Sequence, residues 1–272
     1  MEIVDDSSPS ATISPHRHKI NKPHIAIVGA GYGGLTLANI LHINDIPYTI
    51  FESKHPPFTY ITGGSEFNVP SLHLVLSALQ LEKKLSINNG SPLSREGIIT
   101  ILWERVKDNI VCGQQVTNLE KRNDSESFYI HHAAITNAYS KNGLHSTMSG
   151  QYDCVVGADG VLSKCRTTAL TGTYLVGDAR WVNDRWYDFG FRRINQGADL
   201  AMLDAVELGK DIASLVETRD EFQMLLKEGI KKKFCANEIW IDKTRRKVIC
   251  LSIFFAVVAR VLYSWSRSFF PY

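Results

Sequence analysis

HIAIVGAGYGGLTLANILHINDIPYTIFE, His24 to Glu52, reads as strand, glycine turn, helix, strand. Ile25, Ile27 and Val28 form a short apolar run that stops at Gly29. The turn then carries G-x-G-x-x-G through Gly29, Gly31 and Gly34, with Gly33 inside it. In a dinucleotide fold these glycines allow a tight turn, a close approach of backbone to pyrophosphate, and close packing of helix on strand. Free N–H groups and the dipole at the helix start favour an anionic phosphate. Leu35, Leu37, Ala38 and Leu41 recur at helical spacing, so a helix follows. The next strand, Tyr48 to Phe51, delivers Glu52 about twenty residues after the glycines, where a carboxylate accepts ribose hydroxyls. A carboxylate there disfavours a 2′-phosphate, so the adenosine expected is that of FAD or NAD.

Composition narrows the class. Of the 272 residues, 44% are hydrophobic and 21% charged, enough apolar material for a core in an ordinary water-facing chain. The net charge of +2 makes no case for nucleic acid. Cys112, Cys154, Cys165, Cys235 and Cys250 show no C-x-x-C spacing, and the nine histidines lack metal spacing. Reduced thiols in a cytoplasmic protein are therefore expected, and no metal site. Residues 1–23 are rich in Ser, Pro and Asp and lack an apolar core, so they read as a disordered lead-in.

Further along, helices are expected over Leu72–Leu85 and from Ser94, a cap residue, with Ile98, Ile101, Leu102 and Val106 inward. Strands are expected at Val116–Leu119 and Phe128–Ile135, within a reduced β-element near 108–135, and residues 136–150 read as loop. In that second strand His131 and His132 would point to opposite faces. Buried strands follow at Asp153–Gly157 and Thr173–Val176. A helix opening at Gly197 would place Leu200, Leu203, Ala205, Leu208 and Ile212 on its apolar side.

Three motifs now stand in order: the glycine turn with Glu52; DCVVGADGVLSKCR, Asp153 to Arg166; and YLVGDA, Tyr174 to Ala179, with GADLAMLDA, Gly197 to Ala205, behind it. Together they resemble the single-component FAD-dependent monooxygenases, which include aromatic hydroxylases and tetracycline-inactivating oxygenases. The resemblance implies an α/β Rossmann-type FAD-binding fold with a parallel sheet. It implies that Asp178, after Gly177, bonds the ribityl chain of FAD. Asp159 and Gly160 would support the pyrophosphate and a passing NADPH or NADH, and the helix after Gly197 would point its positive end at the flavin. Arg95 would contact the flavin. It also implies a chemistry: NAD(P)H reduces the flavin, O2 forms a C4a-hydroperoxide, and one oxygen passes to an organic substrate, aromatic or polyketide. The cofactor carries that chemistry, so no catalytic side chain is named.

Two departures bear on this. The family places a substrate-binding sheet, on the order of a hundred residues and so a domain in size, between the second and third motifs; here only Thr167–Gly172 stand there. After Ala179 the family continues with a histidine, a proline and a glycine-rich loop. This chain has Arg180, no proline, Arg192-Arg193, and Asn195 at a glycine position. The FAD-binding domain is therefore expected over 24–235, shortened near 167–172, with two alternatives: a non-catalytic nucleotide-binding remnant, or an NAD-dependent dehydrogenase.

Residues 236–272 form a basic and apolar tail. From Lys227 onward six lysines and four arginines face Glu228, Glu238 and Asp242. The apolar run 248–259 lies between basic and aromatic flanks. It reads either as a membrane contact through residues 243–272 or as a buried core helix.

Overall fold

The computed structural model describes residues 22–55, 69–84, 94–121, 127–135, 146–160, 162–168, 170, 172–181, 196–216, 222 and 234–235. The chain runs β1 (Ile25–Val28), α1 (Tyr32–Ile43), β2 (Tyr48–Glu52), α2 (Leu72–Ala78), α3 (Arg95–Glu104) and β3 (Ile110–Cys112). A meander of β4 (Gln114–Lys121), β5 (Phe128–Ala134) and β6 (Ser146–Tyr152) follows. Then come β7 (Cys154–Gly157), α4 (Lys164–Thr168), β8 (Thr173–Leu175), α5 (Asp178–Trp181) and α6 (Gln196–Leu215).

All four residues of β1 are buried, the continuous apolar pattern of a strand covered on both faces. It sits centrally in a five-stranded sheet of order β3-β2-β1-β7-β8, and every pairing in that sheet is parallel. The chain winds outward through β2 and β3, then returns to build β7 and β8 on the other side of β1. That reversal opens a crevice at the carboxyl ends of β1 and β7, where ligands of open α/β sheets bind.

Alternate side chains divide the sheet into two cores. Ile25, Ile27, Ile50, Cys154, Val156 and Tyr174 face the helical side, in one cluster with Leu37 and Leu41 of α1 and Leu208 and Ile212 of α6. Ala26, Val28, Phe51, Val155 and Leu175 pack with Val116, Leu119, Phe128, Ile130 and Tyr152 of the meander. The antiparallel β4-β5-β6 sheet thus replaces a helix as the crossover from β3 to β7. Helix α1 is buried from Gly33 through Leu41, and its Asn39 amide donates to Leu102 O of α3 at 2.8 Å.

Four expectations need correction. Residues 146–150 are strand, not loop: β6 pairs antiparallel with β5, so the reduced β-element extends to Tyr152. β3, inside the β-element expected near 108–135, pairs parallel with β2 and so belongs to the main sheet. The helix expected to reach Leu85 ends at Ala78, with Gln80 in the left-handed region (φ 55°). Leu203 is 37% exposed, so α6 turns its buried face through Met202, Ala205, Leu208 and Ile212. The histidine reading holds. His132 faces inward against Phe51, ring centroids 5.2 Å apart, while His131 faces outward to Glu120 at 3.1 Å.

Lys22 donates to Asn44 O and Asp45 O at the end of α1. Residues 1–21 and 236–272, with both readings of the tail, lie outside the described residues. Among the described residues no helix is long and apolar enough to cross a membrane.

Candidate cofactor-binding site

The glycine turn begins where β1 ends. Gly29 donates its N–H to Phe51 O at 2.8 Å and adopts φ 101°. A side chain there would be strained and would also strike Ala158 O, 2.5 Å from the Cβ position. At Gly34 a Cβ would collide with Gly29 O, so this glycine sets how closely α1 approaches β1. A Cβ at Gly33 would lie 3.3 Å from Ala201 O of α6. Gly31 differs from all three: its Cβ position has nothing within 4 Å. That open space lies over the start of α1, where the N-terminal N–H groups favour an anion.

Glu52 ends β2 and is 5% exposed. Its Oε2 accepts the Ala30 N–H at 2.7 Å, and Oε1 accepts the Lys54 N–H at 2.9 Å and the Ser53 hydroxyl at 3.1 Å. The carboxylate therefore ties the glycine turn to the end of β2, and lone pairs remain on its oxygens for hydroxyl donors. Cys112, its register partner on β3, has a thiol pKa raised by burial and then by the Glu52 charge.

Arg95 opens α3 behind the Ser94 cap, whose hydroxyl accepts the Gly97 N–H at 3.0 Å. The Tyr32 hydroxyl, at the start of α1, donates to Arg95 O at 3.4 Å. Burial pushes the Tyr32 phenol up to about 12 against the opposing charge of Arg95. Arg95 is thereby brought beside the glycine turn.

At the next strand end, Ala158 donates its N–H to Val28 O at 2.8 Å, which joins the second motif to the first. Asp159 Oδ2 accepts the Lys164 N–H at 2.6 Å and caps α4. Its Oδ1 is buried and has no hydrogen-bond partner among the described residues. Gly160 has φ 74°, with open space at its Cβ position.

The third motif follows β8. Gly177 (φ 59°) leads into Asp178, and a Cβ at Gly197 would lie 3.6 Å from Asp178 Oδ1. The start of α6 and this carboxylate thus meet. Glu52, Gly31, Asp159 and Asp178 stand at the carboxyl ends of β2, β1, β7 and β8, around one crevice.

Solved structures similar to this chain include flavoproteins. A protein assigned as an FAD-containing monooxygenase from Photorhabdus luminescens is 22% identical, with 53% of this chain and 41% of that one covered and a TM-score of 0.41. CmlS, a flavin-dependent halogenase, is 16% identical, with 54% and 30% covered and a TM-score of 0.42. The rebeccamycin biosynthetic enzyme RebC, solved with reduced flavin, is 13% identical, with 53% and 34% covered and a TM-score of 0.42. The matched part therefore spans less than half the length of each of these structures. No family model and no curated protein matches the chain.

Three charged residues of the site escaped the sequence reading. Arg166 Nη1 donates to Asp178 O at 3.2 Å and Ala179 O at 3.0 Å. Burial lowers the pKa of its guanidinium, against the opposing pull of Asp159 and Asp178. Asp204 of α6 accepts the Gly177 N–H at 3.2 Å and pairs with Arg180. Arg166 and Asp204 both stood inside quoted motifs. The available signal was a charge set among apolar neighbours, Asp204 between Leu203 and Ala205. Among the described residues no cluster of His, Cys, Asp or Glu could hold a metal ion.

Proposed function

We propose that this chain is an FAD-binding oxidoreductase of the monooxygenase class, taking electrons from NADPH or NADH and delivering one oxygen of O2 to a small organic molecule. The observation that carries the FAD reading is the open cradle at Gly31 together with the buried Asp159 oxygen that has no donor among the described residues. An extended dinucleotide meets both requirements. In this reading Gly29, Gly31, Gly33 and Gly34 bring the start of α1 to the pyrophosphate, and Glu52 accepts the adenosine ribose hydroxyls. Asp159 and Gly160 line the middle of the crevice. Gly177, Asp178 and Gly197 hold the ribityl end, and Arg95 adds a cation beside the glycine turn. Bound there, FAD supplies the redox chemistry between nicotinamide, O2 and substrate.

A second reading is favoured by one observation. The connection from α4 to β8 is a tight turn, with Thr173 N–H donating to Leu170 O at 3.1 Å. Nothing of domain size stands between them to wall off a substrate. A nucleotide-binding remnant, or an oxidase that makes peroxide, fits that geometry. A plain NAD-dependent dehydrogenase ranks third, since it has no use for the Gly177–Asp178 turn.

The test is purification followed by NADPH and NADH oxidation with parallel peroxide measurement across phenols and polyketides. A yellow protein that oxidises NADPH or NADH and transfers some oxygen to substrate is expected, with most of the turnover leaking to hydrogen peroxide because solvent reaches an unroofed flavin. Substrate-stimulated oxidation with little peroxide would show a closed site and overturn the peroxide expectation. A colourless protein that takes up no added FAD would overturn the flavin reading.

A further inference from the structure

We propose that Arg180 is the positioning residue for the ribityl end of the crevice, through the pair it makes with Asp204. The proposal rests on the FAD reading above. α5 has four residues, Asp178–Trp181, too few to hold a helical turn by its own hydrogen bonds. Its shape must come from outside. Asp204, buried on α6, accepts the Gly177 N–H through Oδ2 and the Arg180 guanidinium through Oδ1. Arg166 holds the opposite side of the same turn by donating to the carbonyls of Asp178 and Ala179. The turn that carries the Asp178 carboxylate is thus clamped on its N–H side by Asp204 and on its C=O side by Arg166.

Arg180 makes the first clamp workable. A buried carboxylate without a compensating cation is strongly disfavoured and either takes up a proton or moves toward water. Either change weakens its grip on Gly177, whose positive φ already sets the direction of Asp178. The guanidinium also lies over the Phe234 ring at 5.0 Å, and the neighbouring Cys235 bridges to Tyr174 on β8. Arg180 therefore joins α5, α6 and the segment against the β8 edge at one point. The adenosine ribose is set apart from it, although Gly33 of the glycine turn packs on α6 at Ala201. Glu52 ends β2, three strands from β8 and so roughly 14 Å away at the usual strand spacing.

The experiment compares wild type, Arg180→Met, Arg180→Lys and Asp204→Asn as full chains. FAD and ADP binding are measured by calorimetry, together with the shift of the flavin absorption band on binding. Arg180→Met and Asp204→Asn should each weaken FAD by about tenfold or more, the worth of one charge-assisted hydrogen bond. ADP binding should fall by clearly less than FAD binding, since Glu52 lies three strands from the pair. Arg180→Lys should recover most of the FAD affinity and the wild-type band shift. If Arg180→Met does not fold, Asp204→Asn and Arg180→Lys carry the same comparison. FAD affinity unchanged in the variants, or FAD and ADP falling equally, overturns the proposal. A wild-type chain that binds ADP but not FAD overturns it too, and one that binds neither overturns the dinucleotide reading with it.

Discussion

The two ends of the crevice are held in place by different means. At the adenosine end a single carboxylate, Glu52, gathers backbone N–H groups from Ala30 and Lys54, all within residues 24–54. At the ribityl end the Gly177–Ala179 turn is held by side chains from elsewhere: Arg166 from α4 and Asp204 from α6. The first end is stabilised by contacts short in sequence. The second depends on α4, α6 and β8 being in place. Local closure survives changes elsewhere in a chain, whereas a turn clamped from outside is exposed to them. Of the departures from the family pattern after Ala179, Arg180 stands at that second end; Arg192, Arg193 and Asn195 lie outside the described residues.

The largest effect should come from Gly34→Ala, which tests whether the adenosine end is as rigid as its packing implies. The new methyl meets Gly29 O, and overpacking of this kind costs about 3 kcal/mol or more. Thermal unfolding should show a large drop in midpoint; an unchanged midpoint would mean that α1 can move off β1.

Glu52→Gln is next, and Glu52→Arg is harsher. Each charge-assisted bond lost contributes about 1.5–3 kcal/mol. Both variants should weaken ADP and FAD alike, while Asp178→Asn should weaken FAD alone. If Asp178→Asn also weakened ADP, the two ends would not be separable.

Gly31→Ala should have a smaller and purely ligand-borne effect. Nothing in the protein meets the added methyl, so the unfolding midpoint should hold while FAD affinity falls about tenfold through crowding of the pyrophosphate. Loss of stability without loss of binding would place the pyrophosphate elsewhere. The smallest effect belongs to Leu203→Gln. At an exposed position on α6 it should change stability by less than about 0.5 kcal/mol, whereas neighbouring Met202→Ala, fully buried, should cost about 2–5 kcal/mol. Equal costs in urea unfolding would show that the Leu203 side of α6 is covered.

Much of the fold was legible because its signals are local. The apolar run Ile25–Val28, the glycines and the helical spacing from Leu35 to Leu41 each need only a few neighbouring residues, and β1, α1 and β2 form where they stand. The strands missed carry no such signal. β3 is three residues long, too short to show a period, and it is strand because β2 pairs with it. β6, Ser-Thr-Met-Ser-Gly-Gln-Tyr, is polar in composition, and its backbone is ordered by hydrogen bonds to β5.

Sequence alone was therefore sufficient for the α/β class, the parallel core strands, the glycine turn and the placing of Glu52 at its side. Those follow from side-chain periodicity and from the backbone freedom of glycine, both properties of a short stretch. Tertiary structure alone decided that Glu52 spends its carboxylate on the Ala30 and Lys54 N–H groups. It also decided that Asp159 caps α4 while leaving one oxygen buried without a donor among the described residues, and that Arg166, Arg180 and Asp204 converge on one turn. Such hydrogen bonds and ion pairs join residues up to 27 positions apart. Their partners are chosen by which strand lies beside which, and that is set only when the sheet closes its order.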